Sequence, residues 1–272
     1  MDRTRKALLA LLTVARAALL PTSGVAQASH RPVLIEELTW TEVRDAIAAG
    51  RSTAIIYAGS TEQNGPHMVI GKHNFIAHYV AQRIAAELGD ALVYPTLPFA
   101  PTGDPVAKTG HMRFPGSVSL EPAVFESAVR GIAVSAIAAG FRQVYLMGDH
   151  GEGQEQLRDV ARALDAEWRA KGVRVRYVSD VYYKEKEQAR AYLAERHIAP
   201  DLHAGTDDTS DLEYIDSLWI RRDKLAQSDS REQATTGVDG DPTKATREMG
   251  QIFIGYKVAA AVAQIRAFRS ER

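Results

Sequence analysis

Apolar residues fall into two kinds of run along this chain. Short continuous runs at 52–60, 91–95 and 144–147 have strand length and no polar alternation, which predicts strands buried on both faces of a parallel sheet. Residues 173–178 alternate like a further strand. Between these runs apolar residues recur at helical spacing: 74–88 (Ile76, Val80, Ile84) ending at Gly89, 121–139 stopped by Gly140, 154–171, 181–195 and 243–268. A short helix starts within 38–42, with Thr39 or Thr41 as its N-cap. Residues 96–119 are irregular and rich in Pro and Gly, and a loop of that length in a compact domain is often functional. Residues 203–210 read as polar and turn-like, 212–219 resume a helical pattern, and 228–242 read as a loop. The alternation of strands and helices predicts one three-layer α/β/α domain on a mainly parallel sheet, with no dividing linker.

Composition changes this picture mainly at the N-terminus. Arg3, Arg5 and Lys6 precede a mostly apolar stretch, and Ala26-Gln27-Ala28 is a small-x-small pattern, so residues 1–28 are expected to be a secretory signal peptide and 29–272 the mature domain. Arg16 interrupts the apolar stretch and argues against a spanning helix; an amphipathic helix or uncleaved anchor is the competing reading. The expected location is the periplasm or the exterior. The formal net charge of −1 suggests neither a nucleic-acid surface nor a strongly charged partner. There is no cysteine, so thiolate catalysis and disulfides are excluded, and a metal site must use N and O ligands.

The chemistry-bearing residues follow two of the strands. Gly148-Asp149-His150-Gly151-Glu152-Gly153 leaves the third strand and opens a helix, where open α/β sheets bind their ligands. Glu62 and Asn64 repeat the two-residue spacing of His150 and Glu152 after the first strand, with His67 and then His73 ahead of the next helix. Parallel strands bring both clusters to one sheet edge. Glu62, His73 and His150 make one carboxylate and two imidazoles, a set suited to Zn, Mn or Fe with open positions; Glu152 and Asn64 would complete it or hold a second ion. Each residue alone has an ordinary structural role open to it: Glu62 as a surface acid, Asn64-Gly65-Pro66 as a turn, His73 as a helix cap, His67 as a structural histidine. Their joint occurrence at two strand ends carries the metal reading. Ser60 lacks a nucleophile-elbow context, and the acids within the 148–153 loop would repel a phosphate.

The run Gly59-Ser60-Thr61-Glu62-Gln63-Asn64-Gly65-Pro66-His67 resembles the signature of the creatininase (creatinine amidohydrolase) family. So do His111 to Leu120 (the family's Phe-Pro-Gly loop), His150-Gly151-Glu152 (its metal loop), His203-Ala204-Gly205 with Asp208-Thr209-Ser210, and Gly240-Asp241-Pro242 before the last helix. The resemblance implies an α/β/α hydrolase with a metal pair, acting on non-peptide C–N bonds of a small amide and often assembled as a homo-hexamer. Carried over, Glu62 and His150 are metal ligands, Glu152 a ligand of the second metal, and His203 a proton shuttle or substrate-orienting group. Asp208 stands for the usual Glu, and His67, His111 and Asp208 are expected to touch substrate or support the ligands. Two departures stand out: Asn64 replaces a ligand histidine and His73 a bridging aspartate, which favours a single tightly held ion.

A bound divalent ion lowers the pKa of water to about 7. Glu152, unless it is a fourth ligand, would take the water proton, and His203 would donate to the leaving nitrogen. The expected substrate is a cyclic or linear amide other than creatinine. The alternatives are an ester, lactone or modified peptide as substrate, or a non-catalytic periplasmic binding or scaffold protein on the same fold.

Overall fold

In the computed structural model, residues 32–229 and 231–271 are described; the expected signal peptide lies outside them. Four strands carry the domain: β1 (Thr53–Ala58), β2 (Ala91–Val93), β3 (Gln143–Gly148) and β4 (Arg174–Tyr177). All pair in parallel, in the order β2-β1-β3-β4. The helices, in chain order, are α1 (Trp40–Ala48), α2 (Lys72–Leu88), α3 (Pro122–Ala139), α4 (Gln154–Trp168), α5 (Tyr183–Ala194), α6 (Thr206–Ile215), α7 (Gln233–Thr236) and α8 (Arg247–Ser270).

β1 is buried at every position, as its unbroken apolar run requires, because strand side chains alternate between two covered faces. Ile55 and Tyr57 of β1, with Tyr145 and Met147 of β3, pack on Ile76, Val80 and Ile84 of α2 and on Ile254, Ala261 and Ile265 of α8. Ala54, Ile56, Val144 and Leu146 face the other way, onto Phe125, Val129 and Ala133 of α3 and Leu157 and Leu164 of α4. Each fully buried Ile, Leu or Phe contributes roughly 1.5–3 kcal/mol, so both helical layers are tied firmly to the sheet. The three-layer α/β/α reading with a parallel sheet therefore holds.

The strand order places the ligand-binding crevice. The chain runs from β1 outward to β2, then returns to the opposite side of β1 for β3 and continues to β4. The carboxyl ends of β1 and β3 are thus neighbours at the point where the winding reverses, the position that open α/β sheets use for ligands. Gly59 closes this corner: a Cβ there would strike the Asn74 amide oxygen and come within 2.9 Å of Asn74 Cα. The start of α2 consequently lies directly against the end of β1.

Local signals fare unevenly. Thr39 caps α1 in a full capping box with Glu42, and Gly89 and Gly140 end α2 and α3 in left-handed conformations. Residues 203–210, expected to be turn-like, instead enter α6, and the helix expected over 212–219 ends at Ile215. α6 buries polar residues (Thr206, Asp207, Thr209, Ser210, Asp211, Glu213), so a search for apolar periodicity misses its first turns. Asp207 and Asp208 in its first turn suit the positive end of the helix dipole. The expected loop at 228–242 holds the single turn of α7, and α8 begins at Arg247 behind the Thr246 cap, after a separate 3₁₀ turn at Pro242–Lys244.

Candidate metal centre

Glu62, in the loop after β1, is fully buried, and four imidazoles surround its carboxylate. Oε2 lies 2.6 Å from His150 Nε2 and 3.8 Å from His111 Nε2; Oε1 lies 3.1 Å from His73 Nε2 and 3.9 Å from His203 Nδ1. His73 sits in the first turn of α2 and His150 just beyond β3. His111 arrives on the long 96–119 loop, and His203 precedes α6. The ligand atoms of Glu62, His73 and His150 lie within 4.8 Å of one another, as do those of Glu62, His111 and His203.

Hydrogen bonds fix what the first pair offers. His73 Nδ1 donates to Asp149 Oδ2 at 2.8 Å, and His150 Nδ1 donates to the Glu152 carbonyl at 3.2 Å. In the neutral rings Nε2 is then the lone-pair nitrogen, and both lone pairs face a carboxylate. Only a proton or a cation between them makes that arrangement favourable. The spacings of 2.6 and 3.1 Å are close to the edge of about 3.3 Å expected of a tetrahedral ion with bonds near 2.05 Å. The donor set thus fits a divalent metal. Burial opposes the charge on Glu62, but His150 and His73 overrule it and hold its pKa well below the carboxylate range. Burial likewise opposes the imidazolium of His150, yet the Glu62 carboxylate leaves its pKa raised.

Gln63 organises the other pair. Gly65 N donates to Gln63 Oε1 at 2.9 Å, so the amide nitrogen points the other way and donates to His111 Nδ1 at 2.9 Å. His203 Nε2, 3.1 Å from the same amide nitrogen, donates to the Gln63 backbone carbonyl at 3.0 Å. His111 therefore accepts at Nδ1 and presents Nε2–H to the cavity. Burial lowers the pKa of His111 and pushes that of His203 down to about 3, so both are neutral at pH 7. The turn bearing His203 is tightly made. Ala204 adopts a left-handed φ of 55°, and its N–H donates to Asp208 Oδ2 at 2.8 Å.

The cavity so formed holds about 190 Å³, and Lys72, Tyr182, Lys186, Leu202 and Asp208 are among its lining residues. Glu152 stands at the rim with its side chain 61% exposed, Oε2 3.2 Å from His150 Nε2. Asp208 pairs with Lys72 at 2.7 Å. Asn64 and His67 are not among the lining residues. Asn64 turns its amide nitrogen to the Glu62 carbonyl (2.9 Å), and His67 Nε2 meets Thr209 Oγ1 at 3.0 Å, joining this loop to α6.

Sequence reasoning passed over Asp149, Lys72, Lys186 and Lys257. Lys257 Nζ lies 2.9 Å from Glu185, 3.5 Å from Asp149 and 3.6 Å from Asp211, all buried. The available signal was a lysine inside the apolar stretch of the last helix, since a buried lysine is rarely found without partners. Lys72 gave a similar signal: a cation in the first turn of a helix opposes the dipole and needs an acid beside it.

The creatininase family pattern, described as creatinine amidohydrolase, matches residues 36–265. The chain is 32% identical over 122 residues to the creatinine amidohydrolase of Pseudomonas putida, which is 45% of this chain and 46% of that protein; that match spans under half of the relative's length. It is 26% identical over 265 residues to the mycofactocin precursor peptide peptidase of Mycolicibacterium smegmatis, covering 90% of this chain and 97% of the other. A solved structure described as "Creatininase Mn" superposes with a TM-score of 0.72 at 24% identity, over 87% of this chain and 98% of that one. That likeness establishes the shared fold.

Proposed function

The chain belongs to the creatininase family, and we propose that it is a metal-dependent amidohydrolase cleaving the C–N bond of a small amide. The observation that carries this reading is the buried Glu62 carboxylate facing the Nε2 atoms of His73 and His150, whose Nδ1 atoms are already committed to acceptors. Glu62, His73 and His150 would hold the ion, and Zn or Mn suits that donor set. When bound, such an ion supplies Lewis acidity and an activated water. The remaining steps belong to the chain. Glu152 stands at the mouth, where it can take a proton from water. His111 offers Nε2–H to a substrate carbonyl oxygen, a neutral donor held in place by Gln63. His203, kept neutral by burial, would take from Glu152 the proton removed from water and pass it to the leaving nitrogen, rather than beginning as the acid.

The cavity of about 190 Å³ is smaller than the roughly 300–1,000 Å³ of drug-sized sites. It suits a compact cyclic or linear amide, or the terminus of a peptide. The loss of carboxylate and histidine at positions 73 and 64 argues against creatinine itself. Export with cleavage after Ala28, and assembly as a homo-oligomer on the hexameric pattern, belong to the same proposal. The test is hydrolysis of a panel of lactams, linear amides, short peptides, esters and lactones by metal-loaded protein, with H150A as control. Amine release that H150A abolishes is expected; faster ester or lactone cleavage, or no turnover on any amide with the metal bound, would overturn it.

A further inference from the structure

We infer that Asp149 and Lys257 are positioning residues that hold His73 as a metal ligand, an indirect carboxylate in place of a directly ligating one. The inference rests on the hydrolase reading above. Asp149 follows β3, and its N–H donates to the Ala58 carbonyl of β1 at 3.0 Å. That bond ties its backbone to the strand bearing the Glu62 loop. One carboxylate oxygen, Oδ2, accepts from His73 Nδ1 at 2.8 Å. The other, Oδ1, lies 3.5 Å from Lys257 Nζ, which reaches in from α8 and bonds Glu185 of α5 at 2.9 Å. His73, Asp149, Lys257 and Glu185 are 7%, 4%, 2% and 0% exposed, so water does not compete for these contacts.

The chemistry explains the arrangement. A histidine at position 73 brings no charge to a cation, whereas a carboxylate there would. Asp149 returns that charge one bond removed, fixes the ring so that Nε2 faces Glu62, and raises the basicity of that nitrogen. Lys257 lies 3.5 Å from the other oxygen as an ion pair without a hydrogen bond, which favours the orientation of Asp149 that keeps Oδ2 on His73. Were Asp149 only the partner of Lys257, His73 would be a bystander and its removal would change nothing that Asp149 does.

The test is Co(II) binding by the apo-protein, read from the d–d absorption and from competition with a chelator. D149N should bind Co(II) about 10–100-fold more weakly with a shifted d–d band, at unchanged circular dichroism. In an H73A background the same substitution should add less than about twofold, because Asp149 acts through His73. If D149N does not fold, D149S in both backgrounds carries the same comparison. Affinity within about twofold of the parent, or an equal loss in the H73A background, overturns the inference. Parental Co(II) affinity in H150A would instead overturn the hydrolase reading, and this inference with it.

Discussion

Substituting Lys257→Met removes one buried charge while keeping length and volume, and the structure sets the size of the effect. The ammonium is 2% exposed and lies within 2.9–3.6 Å of Glu185, Asp149 and Asp211. Breaking a buried pair from one side costs about 3–5 kcal/mol, because the remaining charge is stranded. A second route gives a similar figure. Burial raises Glu185 to about 7 and Asp211 well above the carboxylate range, so these two bind a proton at little cost. Asp149, held at about 2 against burial by Lys257 and His73, is the acid left stranded. Protonating a carboxyl of ordinary pKa at pH 7 costs about 1.4 kcal/mol per unit, or about 4 kcal/mol. At pH 5 the same protonation costs only about 1–1.5 kcal/mol. For a domain of this size 1 kcal/mol corresponds to about 2–4 °C. K257M should therefore lower Tm by about 6–20 °C at pH 7 and by only a few degrees at pH 5. The assay is thermal unfolding with EDTA present, so that metal binding does not enter. Equal losses at the two pH values, or a shift under about 2 °C at pH 7, would show that the ammonium does not compensate these acids.

Three further outcomes follow from the same geometry. Burial, with Asp207 and Asp208 nearby, pushes Asp201 up to about 7, and its Oδ2 has no hydrogen-bond partner. Its contribution is fully present below the unfolded pKa near 3.9 and is lost as pH rises toward 7, by at most about 1.4 kcal/mol per pH unit. Urea unfolding from pH 4 to 8 should show D201N gaining on the parent across that window and level above it; parallel curves would exclude the effect. Gln63→Leu frees His111 from its amide donor while His203 keeps its bond to the backbone carbonyl of the same residue, so kcat on whichever amide is turned over should fall about 100-fold at unchanged metal content; metal loss on the same scale would reassign Gln63 to the ion. Gly59→Ala pushes the start of α2 off the end of β1 and should cost about 1–3 kcal/mol, read as a lower urea midpoint; an unchanged midpoint would mean that this corner is not close-packed.

The parts of the fold legible in sequence are those where one physical signal dominates. Continuous apolar runs gave β1, β2 and β3 because a strand covered on both faces has no polar alternation to confuse it. Glycines at 89 and 140 marked helix ends because a left-handed residue is needed there. α6 was illegible for the complementary reason: its buried face is made of Thr, Asp, Ser and Glu, matched to cations from other elements, and nothing in its local pattern reveals those partners. The same distinction runs through the candidate centre. Glu62 and His150 stand at strand ends, so backbone topology alone predicts that they meet. His73 was placed near them, yet its orientation depends on Asp149, an acid that in sequence was only one residue of a Gly-rich loop.

Lys257 shows how far apart the pieces lie. It is 108 positions from Asp149 and 72 from Glu185 in a chain of 272, and no spacing rule joins them. What sequence does show is a lysine that should not be comfortable where it is, inside an apolar helix packed on the sheet. An ion in such a place is stable only with acids around it, and those acids are then fixed in orientation by it. The buried cation and the ligand histidine therefore share one cause. A site that takes its ligating charge at one remove, through His73 and Asp149, needs a rigid anchor behind it, and here that anchor is an ammonium held by three carboxylates.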